Sequence, residues 1–255
     1  MGYPLERALD GIARAGYEYV ELLSIPNWIA AEHVKPEIGE EDLRKVGKLL
    51  NEYGLSPISL SGHIDFLVKG PQDTKVAMAA LEKRIELAFQ LGCKYVNTGA
   101  WTTEKQSFHN TVNELLDSCK RRSIVLGLEV GEPGLTATGR GLMELLRPIE
   151  SESIGINYDT GNIRWLVGIE PETDLPSTLP RLVHMHIKDQ SGGKDKENFP
   201  ALGEGEVNFT KVFEIVKEAG FSGPFTIEIE NRSQNPAQRD DDIRRCHDYI
   251  RRYVK

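Results

Sequence analysis

A (β/α)8 barrel is the fold that this sequence predicts, on three observations. Seven short runs rich in Val, Ile and Tyr recur along the chain, and helix-period segments lie between them. This alternation is what βα units around a parallel sheet produce. The length of 255 residues matches a single barrel, which takes roughly 250 residues. The chain, residues 1–255, is therefore read as one domain.

The elements follow in order. The opening YPLERALDGIARAGYEYVEL is a helix feeding a strand. The strand that should precede this helix is thus missing or reduced to residues 1–3, so the barrel has a truncated or absent first strand. The expected strands are YEYVELL (17–23), SPISLSG (56–62), KYVNTG (94–99), SIVLGLEV (123–130), SIGINYD (153–159), LVHMHIK (182–188) and PFTIEIE (224–230). Helical segments such as EEDLRKVGKLLNEYG, KVAMAALEKRIELAFQLG and FTKVFEIVKEAG return an apolar residue every three or four positions and close on Gly. The stretch DQSGGKDKENFPALGEGE (189–206) reads as a long polar loop, a kind that often carries function. A barrel short of one strand leaves an unpaired edge between its first and last units, which a second subunit would cover, so a homo-oligomer is expected, a dimer or tetramer.

Composition removes several classes of partner. A net charge of −8 offers no basic footprint for nucleic acid or an anionic membrane. Cys93, Cys119 and Cys246 are far apart without CxxC spacing, which speaks against a disulfide framework or a thiolate zinc site. No apolar run approaches the ~18 residues of a membrane span, and MGYPLERALDG does not read as a signal peptide. A cytoplasmic protein is expected.

Strand side chains alternate between barrel axis and surrounding helices, so parity decides which residues can meet. In LVHMHIKD, Val183, Met185 and Ile187 take the helix side and leave His184, His186 and Lys188 inward. The same rule turns Glu129, Asn157, Asp159, Thr226, Glu228 and Glu230 inward. Four consecutive strands thus send carboxylates and an imidazole to one end of the barrel. Such a set repels itself unless a cation neutralises it, and an oxygen-rich set with one His suits Mn²⁺, Mg²⁺ or Co²⁺ better than structural Zn²⁺. His186, nearer the carboxyl end, is the ligand candidate; His184, one layer deeper, is read as a hydrogen-bonded core histidine.

These residues resemble the xylose isomerase-like TIM barrels, which include sugar and sugar-phosphate isomerases and epimerases, inosose dehydratases and endonuclease IV. The resemblance rests on GLEV with Glu129, NYDTGN with Asp159, HMHIKD with His186, LGEGEVNF, and GFSGPFTIEIE with Glu228 five residues after Gly223. It implies one divalent metal ion held by Glu129, Asp159, His186 and Glu228, with Mn²⁺ favoured and Mg²⁺, Co²⁺ or Zn²⁺ admissible. It further implies that Glu129 and Glu228 exchange protons with the substrate; Glu230 ranks second for that role. His63, Glu21, Trp101, Asn162, Lys188 and Asp189 are expected to line the substrate pocket or brace it, with Glu132 at its rim.

The resemblance implies a sugar isomerase or epimerase, acting through an enediolate by proton abstraction beside a carbonyl, on a sugar or polyol substrate. The alternatives are a dehydratase of the inosose or 3-dehydroshikimate type and a non-catalytic sugar-binding barrel. Two departures narrow the field. Glu197 and Phe199 stand where endonuclease IV has further metal ligands, which speaks against cluster-based DNA cleavage. Asn162 and Gly192 stand where ketohexose epimerases usually carry His and Arg.

Overall fold

The computed structural model describes residues 3–25, 31–64, 71–131, 134–230 and 235–254. Along it α1 (Leu5–Arg14) leads to β1 (Tyr19–Leu23), α2 (Glu40–Glu52) to β2 (Ser56–Ser61) and α3 (Pro71–Leu91) to β3 (Tyr95–Thr98). Next come α4 (Lys105–Arg122) with β4 (Val125–Glu129) and α5 (Gly139–Leu146) with β5 (Ile154–Asp159). Two short helices, α6 (Thr160–Asn162) and α7 (Pro171–Asp174), precede β6 (Leu182–Ile187). The chain then runs through α8 (Phe209–Glu218), β7 (Phe225–Ile227) and α9 (Pro236–Ile250). Each of the seven expected runs holds a strand.

The strands form one sheet in the order β1-β2-β3-β4-β5-β6-β7, the sequential order that right-handed βα units generate. The pairings β1 with β2, β2 with β3, β5 with β6 and β6 with β7 are all parallel. The fold is a TIM barrel in which, among the described residues, no strand precedes α1; residues 1 and 2 of the expected remnant lie outside them.

Chain contacts divide into two compact units, residues 1–127 with 151–154, and residues 128–150 with 155–255. The division passes through β4 and β5 rather than through a linker. In the first unit Leu22, Leu60, Val96 and Leu126 are fully buried, and α4 adds Phe108, Val112, Leu115 and Cys119 from one face. In the second, Ile156, Tyr158, Met185 and Ile187 form the buried apolar layer, with Phe209, Val212, Phe213 and Val216 of α8 at helical spacing. Glycine closes the helices as expected: Gly54, Gly92 and Gly220 follow α2, α3 and α8 with φ of +66°, +79° and +68°.

All three cysteines are buried, and burial pushes the Cys93 and Cys119 thiols up to about 12 and that of Cys246 to about 11. Thiolate is the reactive form. The native protein should therefore leave Ellman's reagent unreacted at pH 8 and release all three equivalents only in guanidinium; fast reaction of any thiol in the native state would contradict this burial. Among the described residues no helix is long and apolar enough to cross a membrane.

Candidate metal centre

β4 and β5 end on Glu129 and Asp159, and the chain just beyond β6 and β7 carries Lys188 and Glu228. The parallel register sets Asp159 beside His186, and His186 beside Thr226, two residues before Glu228. Strand alternation then brings four side chains to one place. Glu129, Asp159, His186 and Glu228 each present a ligand atom, and the four atoms lie within 4.8 Å of one another. His186 Nδ1 is 3.1 Å from Glu129 Oε2, 3.4 Å from Glu228 Oε2 and 3.8 Å from Asp159 Oδ2. All four belong to the second unit.

The surrounding chain aims these groups. Asp159 Oδ1 accepts from the backbone N–H of Gly161 (2.8 Å) and Asn162 (2.6 Å), capping α6, which turns Oδ2 toward His186. Glu129 accepts from Asn162 Nδ2 at 2.8 Å through Oε1 and from Asn157 Nδ2 at 3.0 Å through Oε2. Asn157 Nδ2 also lies 3.3 Å from His186 Nε2, so this amide orients both a carboxylate and the imidazole. Asn157 had been read from the sequence only as an inward residue. His184 is fully buried, with Nε2 2.8 Å from Thr226 Oγ1, in keeping with a hydrogen-bonded core histidine.

Lys188 is 1% exposed, and its ammonium meets Asp159 Oδ2 at 3.3 Å, Glu228 Oε2 at 3.0 Å and Glu230 Oε2 at 3.4 Å. Burial alone would lower its pKa, but Asp159, Glu228 and Glu230 hold it charged well above the ordinary lysine range. Burial would also raise Glu228, yet the Lys188 ammonium and His186 hold it down at about 2. Glu230 goes the other way, pushed by burial up to about 7 against the pull of Lys188. Asp159, fully buried, is raised well above the usual carboxylate range. Among the described residues, Asp159 Oδ2 and Glu228 Oε2 accept no hydrogen bond beyond these charge contacts. Three carboxylates and an imidazole, largely buried and with one oxygen or nitrogen of each within 4.8 Å of the others, fit a divalent cation.

The other expected pocket residues fall in different places. Asn162 bridges the centre, donating to Glu129 and accepting from Lys188 Nζ at 3.0 Å. Asp189 faces away from Lys188 and accepts from the backbone N–H of Gly203, Gly205, Val207 and Gln190, organising the 189–206 loop. In the first unit Glu21 Oε2 accepts from Ser59 Oγ (2.5 Å) and Asn97 Nδ2 (2.6 Å), tying β1 to β2 and β3. Trp101 is fully buried, stacked on Phe108 with ring centroids 4.4 Å apart, and its N–H donates to Thr111. His63 is half-buried in the segment after β2, whereas Glu132 lies outside the described residues. Phe199 is buried with its ring centroid 5.3 Å from Lys188 Nζ, so a hydrocarbon face stands where a cluster-type site would need a ligand.

The chain belongs to the xylose isomerase-like TIM barrel family, whose description matches residues 9–253. Among curated relatives, an L-ribulose-5-phosphate 3-epimerase of Salmonella typhi is 25% identical over 205 residues, which cover 75% of this chain and 69% of that protein. Two solved structures share the fold. D-allulose 3-epimerase from Methylomonas sp. in complex with D-allulose has a TM-score of 0.75 at 20% identity, covering 98% of this chain and 91% of that one. The IOLI protein with a bound zinc atom has a TM-score of 0.81 at 17% identity, covering 99% and 95%.

Proposed function

We propose that this protein is a divalent-metal-dependent sugar or sugar-phosphate epimerase or isomerase that moves a proton on the carbon beside a carbonyl. The observation that carries the reading is the pair of carboxylates Glu129 and Glu228, at 3.1 and 3.4 Å from His186 Nδ1, within the four-residue cluster. Glu129, Asp159, His186 and Glu228 would hold the cation, with Mn²⁺ the first choice for this donor set. When bound, it supplies positive charge to the carbonyl oxygen and its neighbouring hydroxyl.

The chain's own residues do the rest. One of Glu129 and Glu228 removes the proton and the other returns it. Return to the opposite face of the same carbon is epimerisation; return to the neighbouring carbon is isomerisation. Two amides hold Glu129 in place, and the Lys188 ammonium keeps Glu228 ionised at neutral pH. Asn162 is assigned to substrate hydroxyls in this unit, Lys188 to orienting the neighbouring carboxylates of Asp159 and Glu228, and Glu21 and His63 to substrate contacts by their motif positions. Asp189 supports the 189–206 loop, and Trp101 packs against α4 in the first unit. Among the described residues β1 and β7 each pair with one strand, which supports a homo-oligomer that light scattering will register as twice or four times the chain mass.

The test is NMR of free and phosphorylated ketoses and keto-inositols in D₂O with the protein and Mn²⁺. Deuterium should enter beside the carbonyl only when metal is present, and Glu129→Gln should abolish it. Loss of water from the product would mark a dehydratase instead. Tight metal binding without exchange on any member of the panel would overturn the catalytic reading in favour of a sugar-binding barrel.

A further inference from the structure

Lys188 has more negative partners than any ordinary ion pair requires. Its ammonium touches three carboxylates, and two of the oxygens, Asp159 Oδ2 and Glu228 Oε2, also face His186 Nδ1 in the ligand cluster. The third, Glu230 Oε2, lies outside that cluster and meets the lysine at 3.4 Å. Two carboxylates thus bridge a four-residue ligand set on one side and a fixed positive charge on the other. That is the arrangement of a two-cation site in which one cation is part of the chain.

The lysine is built into this position. Its backbone N–H donates to Thr160 Oγ1 at 3.0 Å, and that hydroxyl donates to the Lys188 carbonyl at 2.8 Å. Its stem runs across Gly161, where a Cβ would come within 2.7 Å of Lys188 Cγ. Asn162 Oδ1 accepts from Nζ at 3.0 Å and the Phe199 ring covers it. A fully buried ammonium stays charged only among carboxylates, and those carboxylates stay ionised together only with a cation among them.

We propose that Lys188 acts as a built-in second cation: its ammonium fills the position between Asp159, Glu228 and Glu230 that a second divalent ion would otherwise take, and so keeps the centre mononuclear. The inference rests on the metal-binding reading of Glu129, Asp159, His186 and Glu228. With Lys188 and one divalent ion, the four carboxylates of the site retain a single net negative charge. Without the ammonium, that deficit doubles and three oxygens converge on an uncharged pocket, which invites a second ion.

Lys188→Met keeps the length of the stem and removes the charge. Mn²⁺ titration by calorimetry, with elemental analysis after desalting, should give one ion per chain in the wild type and two in Lys188→Met. One ion per chain in both proteins overturns the inference and leaves the metal centre standing. No ion in the wild type overturns the metal centre itself and the inference with it. Should Lys188→Met not fold, a Mn²⁺-soaked crystal of the wild type decides. A single anomalous peak, with Lys188 Nζ still within hydrogen-bond distance of Glu228 and Glu230, supports the proposal. A second peak, or a lysine swung out of the site, overturns it.

Discussion

Glu228→Gln should lower metal-dependent deuterium incorporation by about 10²- to 10⁴-fold, the range expected when a positioned acid–base group is removed. Gln keeps the shape of Glu but cannot take a proton at neutral pH. It also withdraws a negative charge that faces His186 Nδ1 at 3.4 Å and Lys188 Nζ at 3.0 Å, so Mn²⁺ affinity should fall as well. The fold should survive, because Lys188 keeps Asp159 at 3.3 Å and Glu230 at 3.4 Å as partners. The checks are the exchange rate at saturating Mn²⁺, the Mn²⁺ affinity and the melting temperature of both proteins. Exchange at the wild-type rate in a variant that still binds metal would move the proton role to Glu230, and Glu230→Gln would then be the inactive variant.

Strand parity makes most of this centre legible in the sequence. Each candidate ligand stands within one residue of the carboxyl end of a strand, and an i, i+2 count from the apolar residues sends Glu129, Asp159, His186 and Glu228 to one face. The helices were readable for a similar reason, since Gly54, Gly92 and Gly220 sit where a left-handed residue must end a helix. Parity says which face a residue takes and nothing about its partners, and the misses follow from that. Adjacency in the sequence admits a salt bridge between Lys188 and Asp189. Neighbours on an extended chain point to opposite sides, however, and the structure turns Lys188 to Asp159, Glu228 and Glu230 and Asp189 to the loop amides. Asn157 gave no signal of its own, because one amide bridging a carboxylate and an imidazole depends on the register between β5 and β6. The three-residue helix α6 was equally hidden: it forms because Asp159 caps it, a local hydrogen bond that leaves no periodic trace.

Asp189→Ala should cost on the order of 3–5 kcal/mol of unfolding free energy: four backbone N–H groups lose a charged acceptor worth roughly 1.5–3 kcal/mol each, and water entering the space left by the carboxylate recovers about half of that. Asp189 is 1% exposed and its two oxygens serve four donors: Oδ2 accepts from Gly203 (2.8 Å) and Gly205 (2.9 Å), and Oδ1 from Gln190 (2.9 Å) and Val207 (3.2 Å). Gly205 comes so close that a Cβ there would lie 2.3 Å from Asp189 Oδ1, so only glycine fits against the carboxylate. Asp189→Asn should recover only part of the loss, because its NH₂ would face N–H donors where an oxygen now accepts. Urea unfolding of the three proteins checks the order, and a loss below about 1 kcal/mol for Ala would mean that the loop amides find solvent freely. Hydrogen exchange adds the location: the N–H groups of Gly203, Gly205 and Val207 should lose protection before the strands do. The carboxylate faces away from Lys188, so folded Asp189→Ala should still bind its metal ion with wild-type stoichiometry. Stability and metal binding would then separate at two adjacent residues, as expected where a strand end sends one side chain to the site and the next to the loop that shelters it.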